Sequence, residues 1–257
     1  MTIPCIIAAV GTSPAALATF SQLDTKIRGH FPEEEIIWSY SARVTRQKPE
    51  QNQSPVDRSP EAVLQGLAAK GITKAVVQSL HLLPGREFHD LHRSLHHPGI
   101  ACTPAMPLLS APEDYEELGE ILRSTITARP NKAILLIGHG TAHPSWTAYY
   151  SLEKILRRTF GERIFVGALE KYPNSEALPA EIRAAGFSEV CIIPFLLIAG
   201  VHYHRDIVGE GPASWTSRLQ GSGLSVEAID HGLGLFPGLE KIIIRHMAAA
   251  LASLKAI

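Results

Sequence analysis

The chain has 257 residues, 45% of them hydrophobic, and carries 24 basic against 25 acidic side chains for a net charge of −1. This composition excludes a disordered chain and offers no basic surplus for binding nucleic acid. Its three cysteines, Cys5, Cys102 and Cys191, form no CxxC pair, which argues against a disulfide scaffold or a thiolate zinc site and for a reducing compartment. No run reaches the ~18–20 apolar residues that span a membrane, and the opening MTIPCIIAAVG lacks a basic leader region, so a cytoplasmic protein is expected.

In chain order, short apolar runs predict buried parallel strands at 3–10, 35–40, 74–82, 132–138, 163–169 and 189–198. Each is rich in Ile, Val or Leu without clean alternation, as expected when helices cover both faces of a sheet. Helical segments fall between them. In 59–71, Ser59 suits the N-cap, Pro60 the first helical position and Gly71 the stop. The stretch 113–124 reads as an amphipathic helix. Alternation of strand and helix predicts an α/β fold with parallel sheets flanked by helices.

The sequence also repeats itself. Segment 59–90 lies on 174–205 without a gap, pairing Glu61 with Glu176, Ala69 with Ala184, Gly71 with Gly186, Gly85 with Gly200 and His89 with His204. The period is too long for a solenoid. It predicts two similar α/β half-domains, 1–128 and 129–257, related by a pseudo-two-fold axis with a cleft between them.

Ligands in parallel α/β sheets bind beyond the carboxyl ends of the strands. After 134-ILLI-137 comes GHGTAH, with His139 between Gly138 and Gly140; after 164-IFVGAL-169 comes Glu170; after 191-CIIPFLLIAG-200 come His202, His204 and Asp206. Three strands thus bring His139, Glu170 and His202 to one rim, and two imidazoles with a carboxylate suit a divalent ion with open positions. Taken singly, each is more often an ordinary loop residue. The first half carries Gly11, Thr12 and Ser13 at its first strand end and Glu87 where the repeat has His202, with Arg43 on the same side. Glu87 also suits a helix N-terminus, where a carboxylate favours the dipole. His89, His92 and His96 fall on one helix face, most simply a solvated one. Trp146, Tyr149 and Tyr150 either flank a flat ligand or pack in the core. A phosphate-handling enzyme using the GTS and GHG turns is an alternative, but no P-loop lysine or GxSxG elbow accompanies them.

Taken together and in order, AAVGTS, YSARV, VQSLHLLPGREF, GHGTAHPSWTAY, ALEKYP and PFLLIAGVHYHRDI resemble the class II tetrapyrrole chelatases over nearly the whole chain, and most of all the anaerobic cobalt-inserting branch. The resemblance implies two α/β half-domains with a macrocycle between them. It implies a metal site of His139, Glu170 and His202, with His139 also the proton acceptor and Glu87 turned into the cleft as a second catalytic group. Gly11, Thr12, Ser13, Arg43 and Gly140 then contact the substrate. The implied reaction is insertion of Co2+ into sirohydrochlorin or a related tetrapyrrole, with Fe2+ and Ni2+ as alternative ions. The ion is a substrate and no tightly bound cofactor is expected. A non-catalytic metal or tetrapyrrole carrier is the alternative of another class. No nucleic-acid or membrane partner is implied, and a homo-oligomer is compatible with the reading. Val201 stands where that branch usually has an acidic residue, and His204 adds an imidazole.

Overall fold

The computed structural model describes residues 2–10, 14–40 and 58–256. Its strands are β1 (Cys5–Ala9), β2 (Ile36–Tyr40), β3 (Lys74–Ser79), β4 (Ala101–Ala105), β5 (Ala133–Gly138), β6 (Ile164–Ala168), β7 (Glu189–Phe195) and β8 (Ser225–Ala228). The α-helices are α1 (Pro14–His30), α2 (Pro60–Ala69), α3 (Arg86–Ser94), α4 (Pro112–Thr127), α5 (Thr147–Phe160), α6 (Leu178–Ala184), α7 (Trp215–Gly221) and α8 (Leu239–Lys255). The strands form two four-stranded parallel sheets of the same order, β2-β1-β3-β4 and β6-β5-β7-β8. Six of the eight strands are the expected apolar runs. The other two, β4 and β8, are the last edge strands of their sheets.

One compact unit comprises residues 1–110 and 240–257, the other 111–239. The expected halves, 1–128 and 129–257, differ from these units in the placement of two helices: α4 belongs with the second sheet and α8 with the first. Side-chain chemistry explains the latter placement. Ile242, Ile243 and Met247 of α8 are fully buried. Lys74 Nζ at the start of β3 donates to the Leu254 carbonyl at 3.3 Å, and Lys255 pairs with Glu34 at 3.3 Å.

In the first unit, Ile6, Ala8, Ala75 and Val77 of the sheet pack with Leu64 and Leu67 of α2. Ser59 caps α2 by accepting the Ala62 N–H, Pro60 opens it, and Gly71 closes it in the left-handed region at φ 78°. In the second unit every residue of β5 is buried. Leu135, Ile137, Val190 and Ile192 pack with Ile182, Trp215 and Leu219, a contiguous apolar cluster of the kind that supplies most of the folding free energy of a domain. At its amino edge, Glu227 of β8 pairs with Arg129 and with Lys132, the latter at 2.8 Å.

The repeated segments take the same structure. Strands β3 and β7 begin at the paired positions Lys74 and Glu189. Gly71 and Gly186 both have positive φ, 78° and 89°, and both end a helix. A helical turn follows both Gly85 and Gly200. Helix α3, however, stops at Ser94, so His96 lies beyond it and the three-histidine face is shorter than expected. The His92 and His96 rings nevertheless stay 6.2 Å apart.

Candidate metal centre

The site is built on the carboxyl ends of three neighbouring strands, β6, β5 and β7. Their register is level there: Gly138 pairs with Ala168 on one side and Phe195 on the other. The turns that leave these strands therefore start from one height.

The turn after β5 is fixed by its glycines. Gly140 has φ +83°, and a Cβ there would lie 1.7 Å from the Glu170 carbonyl oxygen. A Cβ on Gly138 would lie 2.6 Å from the Tyr149 hydroxyl. Only glycine lets the His139 turn press so closely on the Glu170 loop. Backbone bonds join the two: Leu169 N–H to the Gly138 carbonyl at 2.8 Å, Glu170 N–H to that of His139 at 3.2 Å, and Thr141 N–H to that of Tyr172 at 3.1 Å. Gly140 N–H donates to the Tyr149 hydroxyl at 2.8 Å. Tyr149 is thus a buried support beneath the turn, and burial pushes its phenol up to about 12. Lys171 takes a left-handed φ of 60°, a conformation that costs a non-glycine residue energy and occurs often at functional turns.

These turns bring His139, Glu170 and His202 together. The His139 and His202 rings meet edge to face with centroids 4.6 Å apart. Glu170 Oε1 lies 3.4 Å from His139 Nδ1. Two donors bound tetrahedrally to one ion at ~2.1 Å lie about 3.4 Å apart, so this separation suits a shared ion. The three side chains are adjacent but not yet gathered as a cage, and among the described residues no set of three His, Cys, Asp or Glu is so arranged. Glu170 Oε1 is shared with Lys171 Nζ at 3.2 Å, and His202 Nδ1 is turned to Asp206 Oδ2 at 2.8 Å.

Charge at the site is set by these partners. The hydrogen bond from Lys171, and then the proximity of His139, hold Glu170 below the usual carboxylate range. Asp206 is held down at about 2, first by Arg205 and then by His202. Both are therefore anionic at neutral pH. The cysteines offer nothing comparable: burial pushes Cys5 and Cys102 up to about 12 and Cys191 to about 11. A cavity of about 610 Å³ opens beside Glu170, lined by Lys171, Tyr172, Asn174, Ala213 and Arg218 among others. Trp146 and Tyr172 adjoin with ring centroids 6.2 Å apart, and Tyr150 is exposed.

The other expected site residues stand as follows. Glu87 lies in the first turn of α3, exposed, where the helix dipole favours a carboxylate. Close by, burial lowers the basicity of His81 while Glu87 opposes that shift. Gly11, Thr12, Ser13 and Arg43 lie outside the described residues. Gly140 spends its N–H on Tyr149. The sequence signalled neither the supporting role of Tyr149 nor the pairing of Asp206 with His202. The i,i+4 spacing of His202 and Asp206 could have suggested the second.

Solved structures share this fold of a four-stranded parallel sheet used twice. SirB from Bacillus subtilis with Fe3+ superposes with a TM-score of 0.68 at 14% identity, covering 99% of this chain and 98% of that one. CbiX, the terminal enzyme for biosynthesis of siroheme in denitrifying bacteria, superposes with a TM-score of 0.60 at 15% identity, covering 96% and 99%. The model of the cobalt chelatase family CbiK matches residues 5–252, so the chain belongs to that family. The curated relatives include the sirohydrochlorin cobaltochelatase CbiKC of Nitratidesulfovibrio vulgaris, 29% identical over 92% of this chain and 86% of its own length. The sirohydrochlorin cobaltochelatase of Salmonella typhimurium is 29% identical over 86% and 84%. The chain is accordingly an enzyme, a chelatase with cobalt as its substrate ion. Among the described residues no helix is long and apolar enough to cross a membrane.

Proposed function

We propose that the chain inserts Co2+ into sirohydrochlorin with His139, Glu170 and His202 as the ligands that deliver the ion. The observation that carries this reading is the convergence of the three side chains: the rings are 4.6 Å apart and the carboxylate is 3.4 Å from His139. The names of the curated relatives support sirohydrochlorin as the tetrapyrrole. The chemistry requires that the ion shed water, that the macrocycle present four nitrogens, and that two pyrrole protons leave for each ion inserted. Two imidazoles and a carboxylate hold a borderline divalent ion while leaving positions open to the macrocycle. Glu170 offsets part of the ion's charge. His139 accepts one pyrrole proton once the ion has passed to the ring. Glu87 is assigned to relaying the second proton, and the reducing cytoplasm, which keeps the three free thiols reduced, is the expected compartment.

Absorbance spectroscopy tests the proposal. Purified protein with sirohydrochlorin and excess Co2+ should convert many equivalents of the free macrocycle, faster than with Fe2+ or Ni2+. A spectral change that stops at one equivalent per chain would identify a carrier and overturn the enzymatic reading. Equal or faster turnover with iron or nickel would overturn the assignment of the ion.

A further inference from the structure

The turn that carries His202 contains a second device. Residues Tyr203–Ile207 form a π-helical turn, closed by the Val208 N–H on the Tyr203 carbonyl five residues back at 3.0 Å. Such turns are rare and recur at functional sites. Gly209 permits the closure, since a Cβ there would lie 2.3 Å from the Arg205 carbonyl oxygen. The turn holds Asp206 against the ring of His202, with Oδ2 2.8 Å from Nδ1. Arg205 fixes the same carboxylate from the other side, Nε on Oδ1 at 2.7 Å and Nη2 on Oδ2 at 2.9 Å.

An ionised carboxylate can only accept, so the proton of a neutral His202 ring must sit on Nδ1 and the lone pair on Nε2. A carboxylate behind an imidazole also makes the far nitrogen a better donor and fixes its aim. We infer that Asp206 is a positioning residue: buttressed by Arg205, it selects the His202 tautomer and points Nε2 at the incoming ion. The inference rests on the reading of His202 as a metal ligand. It explains a contrast within one short segment, because exposed His204, two residues on, meets Tyr203 edge to face with ring centroids 5.1 Å apart and has no such carboxylate partner among the described residues.

The experiment measures cobalt insertion by the full chain at varied Co2+ for wild type, Asp206→Ala, Asp206→Asn and His202→Ala. Asp206→Ala should raise the KM for Co2+ by about tenfold or more while leaving kcat within about threefold. Asp206→Asn should recover most of that loss, because its amide oxygen still accepts from Nδ1. An unchanged KM in Asp206→Ala, or an Asn variant as impaired as the Ala variant, would overturn the inference. His202→Ala separates the two levels of the argument. If it stays active, the ligand reading itself fails. If it is inactive while Asp206→Ala behaves as wild type, only the positioning role fails. Should Asp206→Ala not fold, nitrogen-15 spectra of the wild type decide: neutral His202 protonated on Nδ1 supports the inference, and protonation on Nε2 overturns it.

Discussion

The two sheets share strand order, turn positions and even the left-handed glycines that end α2 and α6, yet their carboxyl edges differ in kind. The second edge gathers two imidazoles and a carboxylate within contact distance. At the position matching His202, the first edge has Glu87 at the start of a regular helix, and the equivalent of the π-turn is that helix itself. A duplicated scaffold therefore fixes where side chains can converge, and local turn chemistry decides whether they do. Glycine made the difference on the second edge. Without Gly138 and Gly140 the His139 turn could not approach Glu170, and without Gly209 the π-turn could not close.

The largest expected effect tests that asymmetry directly. His139→Ala should lower the insertion rate by about a hundredfold or more, since on the proposed reading it removes both a ligand and a proton acceptor. Thermal melting should barely change, as the side chain is half exposed. A variant with near-normal activity would place the chemistry elsewhere. Gly140→Ala attacks the scaffold of the same edge. A Cβ set 1.7 Å from the Glu170 carbonyl at φ +83° forces the turns apart, at an expected cost of about 2–3 kcal/mol in chemical denaturation and at least a tenfold loss of activity. Retention of both would mean the two turns are not locked as described.

Glu87→Gln sharpens the comparison from the other side. If the first edge contributes a proton relay, kcat should fall about tenfold with the KM for cobalt unmoved. A wild-type rate would reduce Glu87 to a helix-dipole carboxylate. Away from either edge, Glu227 is held down at about 2 by Arg129 and then Lys132. A depressed carboxylate stabilises the fold above its ordinary pKa of 4.5, and that contribution is lost as the pH falls from there toward 2. Glu227→Gln should cost about 1 kcal/mol at pH 7 and little near pH 2. A deficit that persisted in acid would point to packing instead. Smallest of all, His204→Ala should leave the insertion rate within about twofold of wild type, since its ring is exposed and bears on Tyr203. A severe loss would show that the wrong histidine of the turn had been assigned.

Much of this was legible in the sequence because burial on both faces leaves continuous apolar runs, as in 134-ILLI-137, and because the repeat could be aligned residue by residue. The edge strands were not. ACTPA carries a proline and is half exposed, and SVEA has four residues, two of them polar, so neither shows the pattern of a buried strand. Nor could the sequence say which sheet α8 would join, since an amphipathic helix announces an apolar face without naming its partner. The strand-end positions of His139, Glu170 and His202 could be read from the apolar runs that precede them. The support from Tyr149 could not be read, because it depends on how closely the turn packs on α5, and the Asp206–His202 pairing left only its i,i+4 spacing as a signal.

The three thiols, two buried and one half-buried, carry one further consequence. With pKa values of about 11 to 12, only about one in ten thousand or fewer would be ionised at pH 7. The proposed donors for the ion are therefore nitrogen and oxygen, and the three thiols, held protonated, offer it no thiolate. On the proposed reading, a donor set without thiolate holds the ion loosely enough for the macrocycle to take it.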